Sequence, residues 1–548
     1  MTTDMKKHIL IALLMISASL NASAQYAYKI LSERDTTVKA KIESVTLGSR
    51  EVRHYVYEYP SKDGDGQPVT ISGIIMMPAD VANGTTPCDG IILFNRYAID
   101  SPDQAPSQGE LDVPSGMLAN PLKPNYIIVM SDYIGYGSSI DHKTAYLCGE
   151  TNARNSLDGL LAAQQLLDDK QISKGRYLFN VGYSQGGTES MYIAKLRDME
   201  YKDLGITFDK TFVGGGMLDC EEALSAYIGK DQCDNASDVV MFLISVNENC
   251  HLGIDYHDLF KEPLASHVQE IINTKRKSVL SDIGVSSLDS LHLLLQPAYM
   301  EKNSIASKKL MAKLAQIKIT NGWVPDITQK YYIEHSRHDN FVPIQSGRAI
   351  IPWMKEKGFK PSLVPGKTNL QTNTIVFKLK HQQSAIVWAI QTMAALQVWP
   401  VVYYEGEQNR YYHDVVKDLN LLKVIKFLES IGIDLRKMFA SSQARAFMAA
   451  PRKASFLDLL MQVQDVLAKE DLTITDVIEM INDSGITVED IMEVYNYIMN
   501  SDASSARESI MFGEHVEVPL YLLKHYEQIL ADWFMQAGVD VQYNQWGW

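Results

Sequence analysis

Residues 182–187 read Gly-Tyr-Ser-Gln-Gly-Gly, a Gly-x-Ser-x-Gly motif whose flanks are more informative than the motif itself. The preceding run 177–181, Tyr-Leu-Phe-Asn-Val, is typical of a strand, and 188–196 has the apolar spacing of a buried helix. A strand, a glycine-flanked serine and a helix in this order predict a nucleophile elbow. An ordinary glycine-rich turn is the alternative interpretation.

The two glycines have a steric role at such a turn. Gly182 and Gly186 lack a Cβ, so the strand and the helix can crowd around Ser184. The serine hydroxyl is then expected to project above the end of the sheet. The backbone N–H of Gln185, at the start of the helix, is expected to stabilise an oxyanion.

The composition is that of a globular protein long enough for two or three domains. The chain has 548 residues, of which 46% are hydrophobic and 21% are charged. Its formal net charge is −15 and it contains no long basic block. Nucleic-acid binding is therefore disfavoured, because it needs a concentrated basic face.

The N-terminus has the pattern of a signal peptide. Residues 6–7, both lysine, precede the apolar run 9–20, and Ala-Ser-Ala at 22–24 offers small residues for cleavage before Gln25. The apolar run is too short to span a bilayer, and no cysteine follows it to carry a lipid anchor. We therefore expect residues 1–24 to be removed and the mature protein to be secreted or periplasmic. A buried N-terminal helix is the alternative, and no later apolar stretch predicts a transmembrane segment.

The cysteines show no metal-binding pattern and leave disulfides possible. Five are spread along the chain: Cys88, Cys148, Cys220, Cys233 and Cys250. They form no Cys-x-x-Cys pair and no zinc-binding pattern, so no metal is expected. An exported chain permits disulfides, and Cys220 could pair with Cys233 or Cys250. The odd number leaves at least one cysteine unpaired or intermolecular.

Apolar runs alternate with helical patterns over much of the chain. The segment 25–90 is rich in strand patterns and is typical of an antiparallel edge. Further strands are predicted at 91–94, 126–130, 177–181, 211–216, 331–335 and 373–377. Continuously apolar strands are typical of parallel strands buried on both faces. The alternation predicts an α/β protein with a mostly parallel central sheet.

Two segments break this alternation. Residues 217 to about 325 carry helical patterns, which predicts a helical cap inserted into a domain at 25–410. Residues 411–548 predict a C-terminal helical region outside that domain. There, Thr-x-x-Asp recurs at 472–479 and 486–493, and a related Ser-x-x-Asp precedes them. Short helices with similar caps explain this recurrence more simply than a recognition solenoid does.

A nucleophilic serine needs a base, and the base needs an acid that fixes its tautomer. In a sheet of this kind the acid should follow a strand later than the elbow. Asp339 fits because it lies just beyond strand 331–335, at the carboxyl edge where sites form in open α/β sheets. A turn aspartate is the alternative. Asp132 precedes Ser184 and has the pattern of a structural turn, and Glu334 lies within its strand.

The base is expected after the last strand. His381 follows strand 373–377 by a short loop and opens a helix. His335 and His338 are competitors, but both lie too near Asp339 in the sequence to belong to a separate loop.

On these residues the chain resembles the secretory lipase family of α/β-hydrolases, typified by the Candida lipase A type. The motifs that carry the resemblance are 182–187, Ser-Asp-Tyr-Ile-Gly-Tyr-Gly at 131–137 and the Asp-x-x-Val-Pro turn at 339–343. The resemblance covers about residues 50–400, including a helical cap before the acid, and leaves 411–548 outside.

The resemblance implies an α/β-hydrolase fold and hydrolysis of carboxylic esters by a triad of Ser184, Asp339 and His381. Many α/β-hydrolases carry a His-Gly pair beside the oxyanion site, in the loop after a central strand. The corresponding loop here reads Asn-Arg-Tyr-Ala, so the second oxyanion donor is expected at a backbone amide near Arg96 or Tyr97.

The leading expectation is a secreted, lipase-like serine esterase that acts on a small-molecule ester and passes the acyl group to water or to an alcohol. No metal or organic cofactor is implied. A peptidase of the same fold is an alternative that would need an acidic pocket for an amino terminus, for which Glu221 and Glu222 are candidates. An inactive homologue that binds a glycan or a partner through its C-terminal helices is the other alternative. A protein partner for those helices has no support in the sequence.

Overall fold

The computed structural model describes most of the chain between residues 26 and 400. The described ranges are 26–42, 45–109, 111–119, 124–229, 234–286, 288–360, 369–375 and 379–400. The predicted signal peptide, residues 1–24, lies outside them. So does the predicted C-terminal helical region at 411–548, with its recurring motif.

Strands and helices alternate along the described residues. The strands are β1 (Lys29–Ile42), β2 (Val45–Lys62), β3 (Pro68–Pro78), β4 (Gly90–Asn95), β5 (Tyr126–Ser131), β6 (Tyr177–Tyr183), β7 (Lys210–Gly214), β8 (Tyr331–Ser336) and β9 (Leu370–Ile375). The α-helices are α1 (Ala79–Ala82), α2 (Asp112–Ala119), α3 (Thr151–Asp169), α4 (Gln185–Leu196), α5 (Cys220–Ile228), α6 (Ala236–Asn249), α7 (Tyr256–Leu259), α8 (Leu264–Thr274), α9 (Ser278–Asp282), α10 (Leu291–Leu294), α11 (Pro297–Met300), α12 (Ile305–Gln316), α13 (Ile344–Arg348), α14 (Ile350–Glu356) and α15 (His381–Pro400). Within the described ranges, no helix combines the length and apolar character that crossing a bilayer requires.

The chain divides into two compact units. The first comprises the residues up to Phe208 together with Ala236–Ile317. Its strands are ordered β1-β2-β3-β5-β4-β6. The pairs β1–β2, β2–β3 and β3–β5 are antiparallel, whereas β4 pairs parallel with both β5 and β6. The antiparallel edge predicted for the N-terminal strands is therefore present beside a parallel centre.

Burial explains why the central strands of this unit have continuous apolar runs. Every residue of β4 and of β5 is buried. Ile91 of β4 lies opposite Ile127 on one side and Leu178 on the other. Helix α4, which follows β6, is buried along its whole length, as expected for a helix inside a large core. The turn between β6 and α4 is thus held between two buried elements.

The segment predicted as a helical cap is helical where the structure describes it. Helices α5 to α12 lie in it, and its described part has no strand beyond a single bridge between Phe260 and Leu295. Helix α5 belongs to the second unit and α6 to α12 to the first. At the end of α12, the carbonyl of Ile317 accepts a hydrogen bond of 2.6 Å from the hydroxyl of Tyr192 in α4.

The second unit comprises Asp209–Asn235 and the residues from Lys318 onward. Its strands β7, β8 and β9 are parallel, and β8 lies between the other two. Strand β9 starts earlier than the predicted 373–377, at Leu370. Helix α15 starts at His381, as predicted. Its first turn is polar, so the apolar spacing reveals the helix only after that turn.

The arrangement of the cysteines differs from the sequence-based expectation. The sulfur of Cys250 lies 3.0 Å from that of Cys148, a pairing that the sequence analysis does not include. Cys233, one of the suggested partners, lies outside the described residues. The contact joins positions 102 residues apart, and sequence spacing carries no signal for a pair so distant.

Candidate active site

Ser184 occupies a strained turn between β6 and α4. Its backbone has φ 58° and ψ −123°, in the half of the conformational map that non-glycine residues rarely adopt. Strand β6 ends at Tyr183 and α4 begins at Gln185, so this serine alone connects the strand to the helix. Such strain persists where the surrounding structure enforces it, and here it presents the serine side chain at the end of the strand.

Close backbone packing on both sides makes glycine necessary in this turn. A Cβ on Gly182 would lie 2.1 Å from the carbonyl oxygen of Gly186. A Cβ on Gly186 would lie 2.0 Å from the carbonyl oxygen of Asn95. Both distances are far inside van der Waals contact, so any larger residue would force the strand and the helix apart.

A buried polar cluster fixes the turn from beneath. The amide of Asn95, at the end of β4, donates to Oδ1 of Asn180 at 2.7 Å and to Oγ of Ser190 at 2.8 Å. The hydroxyl of Ser190 in turn donates to the carbonyl of Gly186 at 2.8 Å. These bonds join β4, β6 and α4, and buried hydrogen bonds of this kind restrict the movement of the elements that they join. Neither Asn180 nor Ser190 belongs to the Gly-x-Ser-x-Gly motif, so the motif gives no signal for them.

The predicted second oxyanion donors, Arg96 and Tyr97, follow β4 directly. Strands β4 and β6 are parallel with Asn95 opposite Gly182, so this loop leaves the sheet at the end where the serine turn begins. Arg96 is buried, and its guanidinium carbon lies 4.7 Å from the ring centroid of Tyr97. The carbonyl of Arg96 accepts a hydrogen bond of 2.9 Å from the hydroxyl of Tyr133. The loop is therefore held by its side chains and one carbonyl.

Gln185, the predicted first oxyanion donor, is the first residue of α4. The N–H groups of the first helical turn have no partner within their own helix, and the helix dipole gives them a partial positive charge. The carbonyl of Ser184 already accepts the N–H of Thr188 at 3.1 Å, which continues the helix back to the serine. An anion that forms beside Ser184 would meet this positive end.

Glu189 carries a buried carboxyl one helical turn after Gln185, and no motif in the sequence marks it. Its Oε1 accepts a hydrogen bond of 3.1 Å from the amide of Asn152, whose Oδ1 accepts the N–H of Ile134 at 3.2 Å. Burial raises the pKa of Glu189 to about 8, against the opposing effect of hydrogen bonds from Asn152 and Gln185. The carboxyl is therefore mainly protonated at neutral pH. It links the start of α4 to α3 and to the segment 131–137.

The predicted acid and base are hydrogen-bonded to each other in the second unit. Oδ2 of Asp339, in the loop after β8, lies 2.6 Å from Nδ1 of His381 at the start of α15. Oδ1 of Asp339 accepts the N–H groups of Phe341 at 2.9 Å and Val342 at 2.8 Å. The N–H of His381 donates to Oδ1 of Asn340 at 3.0 Å. A carboxylate at Nδ1 favours the tautomer in which Nε2 is the basic nitrogen.

This pair is shielded from water. The Asp339 side chain is fully buried and that of His381 is 6% exposed. Burial alone would raise the pKa of Asp339, but its electrostatic interaction and hydrogen bond with His381, together with the backbone N–H of Val342, hold it below its ordinary value. Asp339 is therefore ionised at neutral pH. The ring of Phe341 stacks on His381 with centroids 5.2 Å apart and restricts rotation of the imidazole.

The competing histidines have other environments. His335 is buried in β8, and its Nε2 lies 2.9 Å from the carbonyl of Val342 and 3.5 Å from Oδ2 of Asp339. Burial lowers the pKa of His335, so it is neutral and donates its Nε2–H to Val342. The ring is packed so closely on Gly347 that a Cβ there would lie 2.0 Å from Nδ1. His338 is exposed.

The two alternatives to Asp339 as the acid, Asp132 and Glu334, form hydrogen bonds with other residues. Asp132 is fully buried and accepts the N–H of Ser107 at 2.7 Å and the hydroxyls of Ser107 and Ser72, each at 2.5 Å. Burial raises its pKa despite these bonds. Asp132 therefore ties β3 and the loop at 107 to the end of β5. Glu334 is buried within β8 and accepts the hydroxyl of Tyr332.

Glu221 and Glu222, the candidate amino-terminus ligands, lie in the first turn of α5. The carboxylate of Asp219 caps this helix by accepting the N–H groups of both residues, at 3.0 and 3.1 Å. The Glu221 carboxylate forms a 2.8 Å ion pair with Lys318. Both residues therefore belong to a capped helix start, and the side chain of Glu221 is engaged by Lys318, whereas Glu222 is exposed.

Comparison with known proteins gives structural similarity alone. No family model matches the sequence, and no curated protein is significantly similar to it. A candidate hydrolase from Legionella pneumophila is 19% identical with a TM-score of 0.56, over 68% of this chain and 97% of that one. The rice cell wall degrading esterase LipA from Xanthomonas oryzae is 17% identical with a TM-score of 0.53, over 70% and 99%. Candida antarctica lipase A is 12% identical with a TM-score of 0.47, over 67% and 81%, which is too weak to carry an inference.

At these identities the similarity establishes the fold. The described residues, with their mixed sheet and surrounding helices, have the α/β-hydrolase fold, as the sequence predicts. The narrower resemblance to the secretory lipase family stays a prediction.

Proposed function

We propose that this protein is a serine hydrolase that cleaves carboxylic esters, with Ser184 as nucleophile, His381 as base and Asp339 as acid. The observation that carries the proposal is the buried 2.6 Å hydrogen bond between Asp339 and Nδ1 of His381. A buried carboxylate that orients one histidine is the arrangement that activates a serine in hydrolases of this type. The strained turn at Ser184 supports the same assignment, because it is the geometry of a nucleophile elbow.

The reaction has two stages. Nε2 of His381 takes the proton of the Ser184 hydroxyl as Oγ attacks the ester carbonyl, and His381 then gives this proton to the departing alcohol. Water, or a second alcohol, next loses a proton to His381 as it attacks the acyl-enzyme, and the proton returns to Ser184 as the acid or new ester leaves. Asp339 stays ionised throughout and stabilises the imidazolium that forms in each stage.

The tetrahedral intermediate carries a negative oxygen in both stages. We assign the N–H of Gln185 as its first donor, because this residue starts α4 beside the nucleophile. The second donor is assigned to a backbone amide of the loop at Arg96 and Tyr97, which leaves β4 at the matching end of the sheet. The buried cluster of Asn95, Asn180 and Ser190 would hold both donors in place.

Ester cleavage is preferred over peptide cleavage. LipA from Xanthomonas oryzae, a structurally similar protein, is described as an esterase. Of the two acidic residues that an aminopeptidase would use, Glu221 is paired with Lys318, and both lie in the capped first turn of α5. Hydrolysis of p-nitrophenyl esters of graded acyl length and of aminoacyl-p-nitroanilides separates the two activities. We expect ester turnover that is lost in Ser184→Ala, and turnover confined to the anilides would reject the ester assignment.

We further propose that the protein is exported from the cytoplasm. The basic start, the apolar core and the Ala-Ser-Ala sequence at 22–24 support removal of residues 1–24 and release to the periplasm or the medium. N-terminal sequencing of the protein recovered outside the cytoplasm is expected to begin at Gln25. Exported protein that still carries Met1 would contradict cleavage.

A further inference from the structure

Two cysteines far apart in the sequence lie in direct contact in the first unit. Cys148 lies in the loop that leads into α3, and Cys250 follows the last residue of α6. Their sulfurs are 3.0 Å apart, although 102 residues separate them along the chain. Joining them would require the sulfurs to move closer by about 1 Å, since a disulfide bond is about 2.05 Å long.

The two backbones are already held together by contacts that do not involve sulfur. The amide of Asn249 donates to the carbonyl of Thr144 at 2.9 Å, and Lys143 forms an ion pair with Glu248. The N–H of Cys250 donates to the carbonyl of Val246 at 2.9 Å, which fixes it to the end of α6. These contacts hold the two backbone segments beside each other without any bond between the sulfurs.

The chemical environment also favours reaction at one sulfur. Cys250 is half-buried, whereas Cys148 is 5% exposed, so a small oxidant would reach Cys250 first. The hydrogen bond from Cys148 lowers the pKa of the Cys250 thiol, and the charges of His251 and Lys313 act in the same direction against burial. A thiolate is the reactive form in thiol–disulfide exchange.

The other described cysteines differ in this respect. Burial raises the pKa of the Cys88 thiol to about 11 and that of Cys220 to about 12. Both are therefore protonated at neutral pH, and exchange at either should be slow.

We propose that Cys148 and Cys250 form a disulfide bond under oxidising conditions, tying the helical insertion to the loop that leads into α3. With oxidised glutathione as the oxidant, the Cys250 thiolate attacks one glutathione sulfur and releases the other glutathione as a thiolate. The Cys148 thiolate then attacks the Cys250 sulfur of the mixed disulfide, and a second glutathione leaves. Two protein thiols are oxidised and one glutathione disulfide is reduced to two thiols.

The consequence is a covalent loop that contains β6 and the turn at Ser184. Closing a long loop restricts the unfolded chain more than the folded one, which stabilises the folded state. The bond would also fix the loop before α3, whose Asn152 binds Glu189 beneath the start of α4.

Peptide mapping of the full chain tests the proposal. Protein equilibrated in oxidised glutathione is quenched with acid, blocked with N-ethylmaleimide and digested, and the disulfide-linked peptides are identified by mass spectrometry. We expect a linked pair that contains Cys148 and Cys250, retained in Cys88→Ser and absent from Cys250→Ser. Both peptides blocked by maleimide at equilibrium, or Cys250 linked to Cys220 or Cys233, would overturn the proposal.

A stability measurement provides a second readout on the same samples. The thermal midpoint of the oxidised wild type should exceed that of the dithiothreitol-reduced protein by about 5–10 °C. The difference should vanish in Cys250→Ser and in Cys148→Ser and persist in Cys88→Ser. Equal midpoints for oxidised and reduced wild type would contradict the cross-link.

Discussion

The free energy of unfolding should fall less between pH 4.5 and pH 8 in a Glu189→Gln variant than in the wild type. Burial raises the pKa of this carboxyl from 4.5 to about 8 in the folded state. Below pH 4.5 both states are protonated and the full stability is present. Between pH 4.5 and about 8 the carboxyl ionises in the unfolded chain but not in the folded one, so stability falls. At about 1.4 kcal/mol for each pKa unit, this fall amounts to about 5 kcal/mol.

Glutamine has the size of the protonated acid and can keep the hydrogen bond from Asn152. Glu189→Gln should therefore match the wild type near pH 4.5 and exceed its stability by several kcal/mol near pH 8.5, where the wild-type carboxyl is ionised. Urea unfolding followed by tryptophan fluorescence at both pH values measures the difference. Glu270→Gln, which removes an exposed carboxylate from α8, is the matched control and should follow the wild type. If Glu189→Gln loses as much stability as the wild type between the two pH values, Glu189 is ionised in the folded protein and the reasoning fails.

Two further pairs of variants test the site. Asp339→Asn should lower kcat by several orders of magnitude with a near-normal thermal midpoint, because the amide favours the wrong histidine tautomer. The corresponding substitution in a serine protease lowers kcat by about 10⁴. Asp132→Asn should instead cost about 1–3 kcal/mol in urea unfolding, since it leaves buried serine donors mispaired; a normally folded but inactive Asp132 variant would move the acid to β5. Gly186→Ala should lower the thermal midpoint sharply because its Cβ would lie 2.0 Å from the carbonyl of Asn95. Gly116→Ala in α2, whose Cβ would meet no atom within 4 Å, should not, and equal effects of the two alanines would refute the steric argument.

The parts of the structure that sequence could predict are those fixed by local pattern and chain order. The apolar run in β4 marks a strand buried on both faces, and the glycines around Ser184 mark a turn where backbones crowd. Chain order alone singled out Asp339 and His381, which are hydrogen-bonded in the structure, because each follows a strand near the end of the sheet domain.

The rest depends on packing between distant segments. Glu189 lies in a helix that its apolar spacing predicts to be buried, but its contacts with Asn152 of α3 and, through Asn152, with the loop at Ile134 come from distant segments. The contact between Cys148 and Cys250 likewise follows from where α6 packs, which no spacing rule encodes. Both features arise from tertiary structure, which a single sequence records only indirectly.

Mass spectrometry of protein treated with a fluorophosphonate tests the proposed mechanism most directly. The reagent phosphonylates a serine whose hydroxyl is activated by a neighbouring base. The mechanism predicts one adduct, on the peptide that contains Ser184, which is absent from Ser184→Ala and forms far more slowly in a folded His381→Ala variant. An adduct on another serine, or labelling of His381→Ala at the wild-type rate, would contradict it.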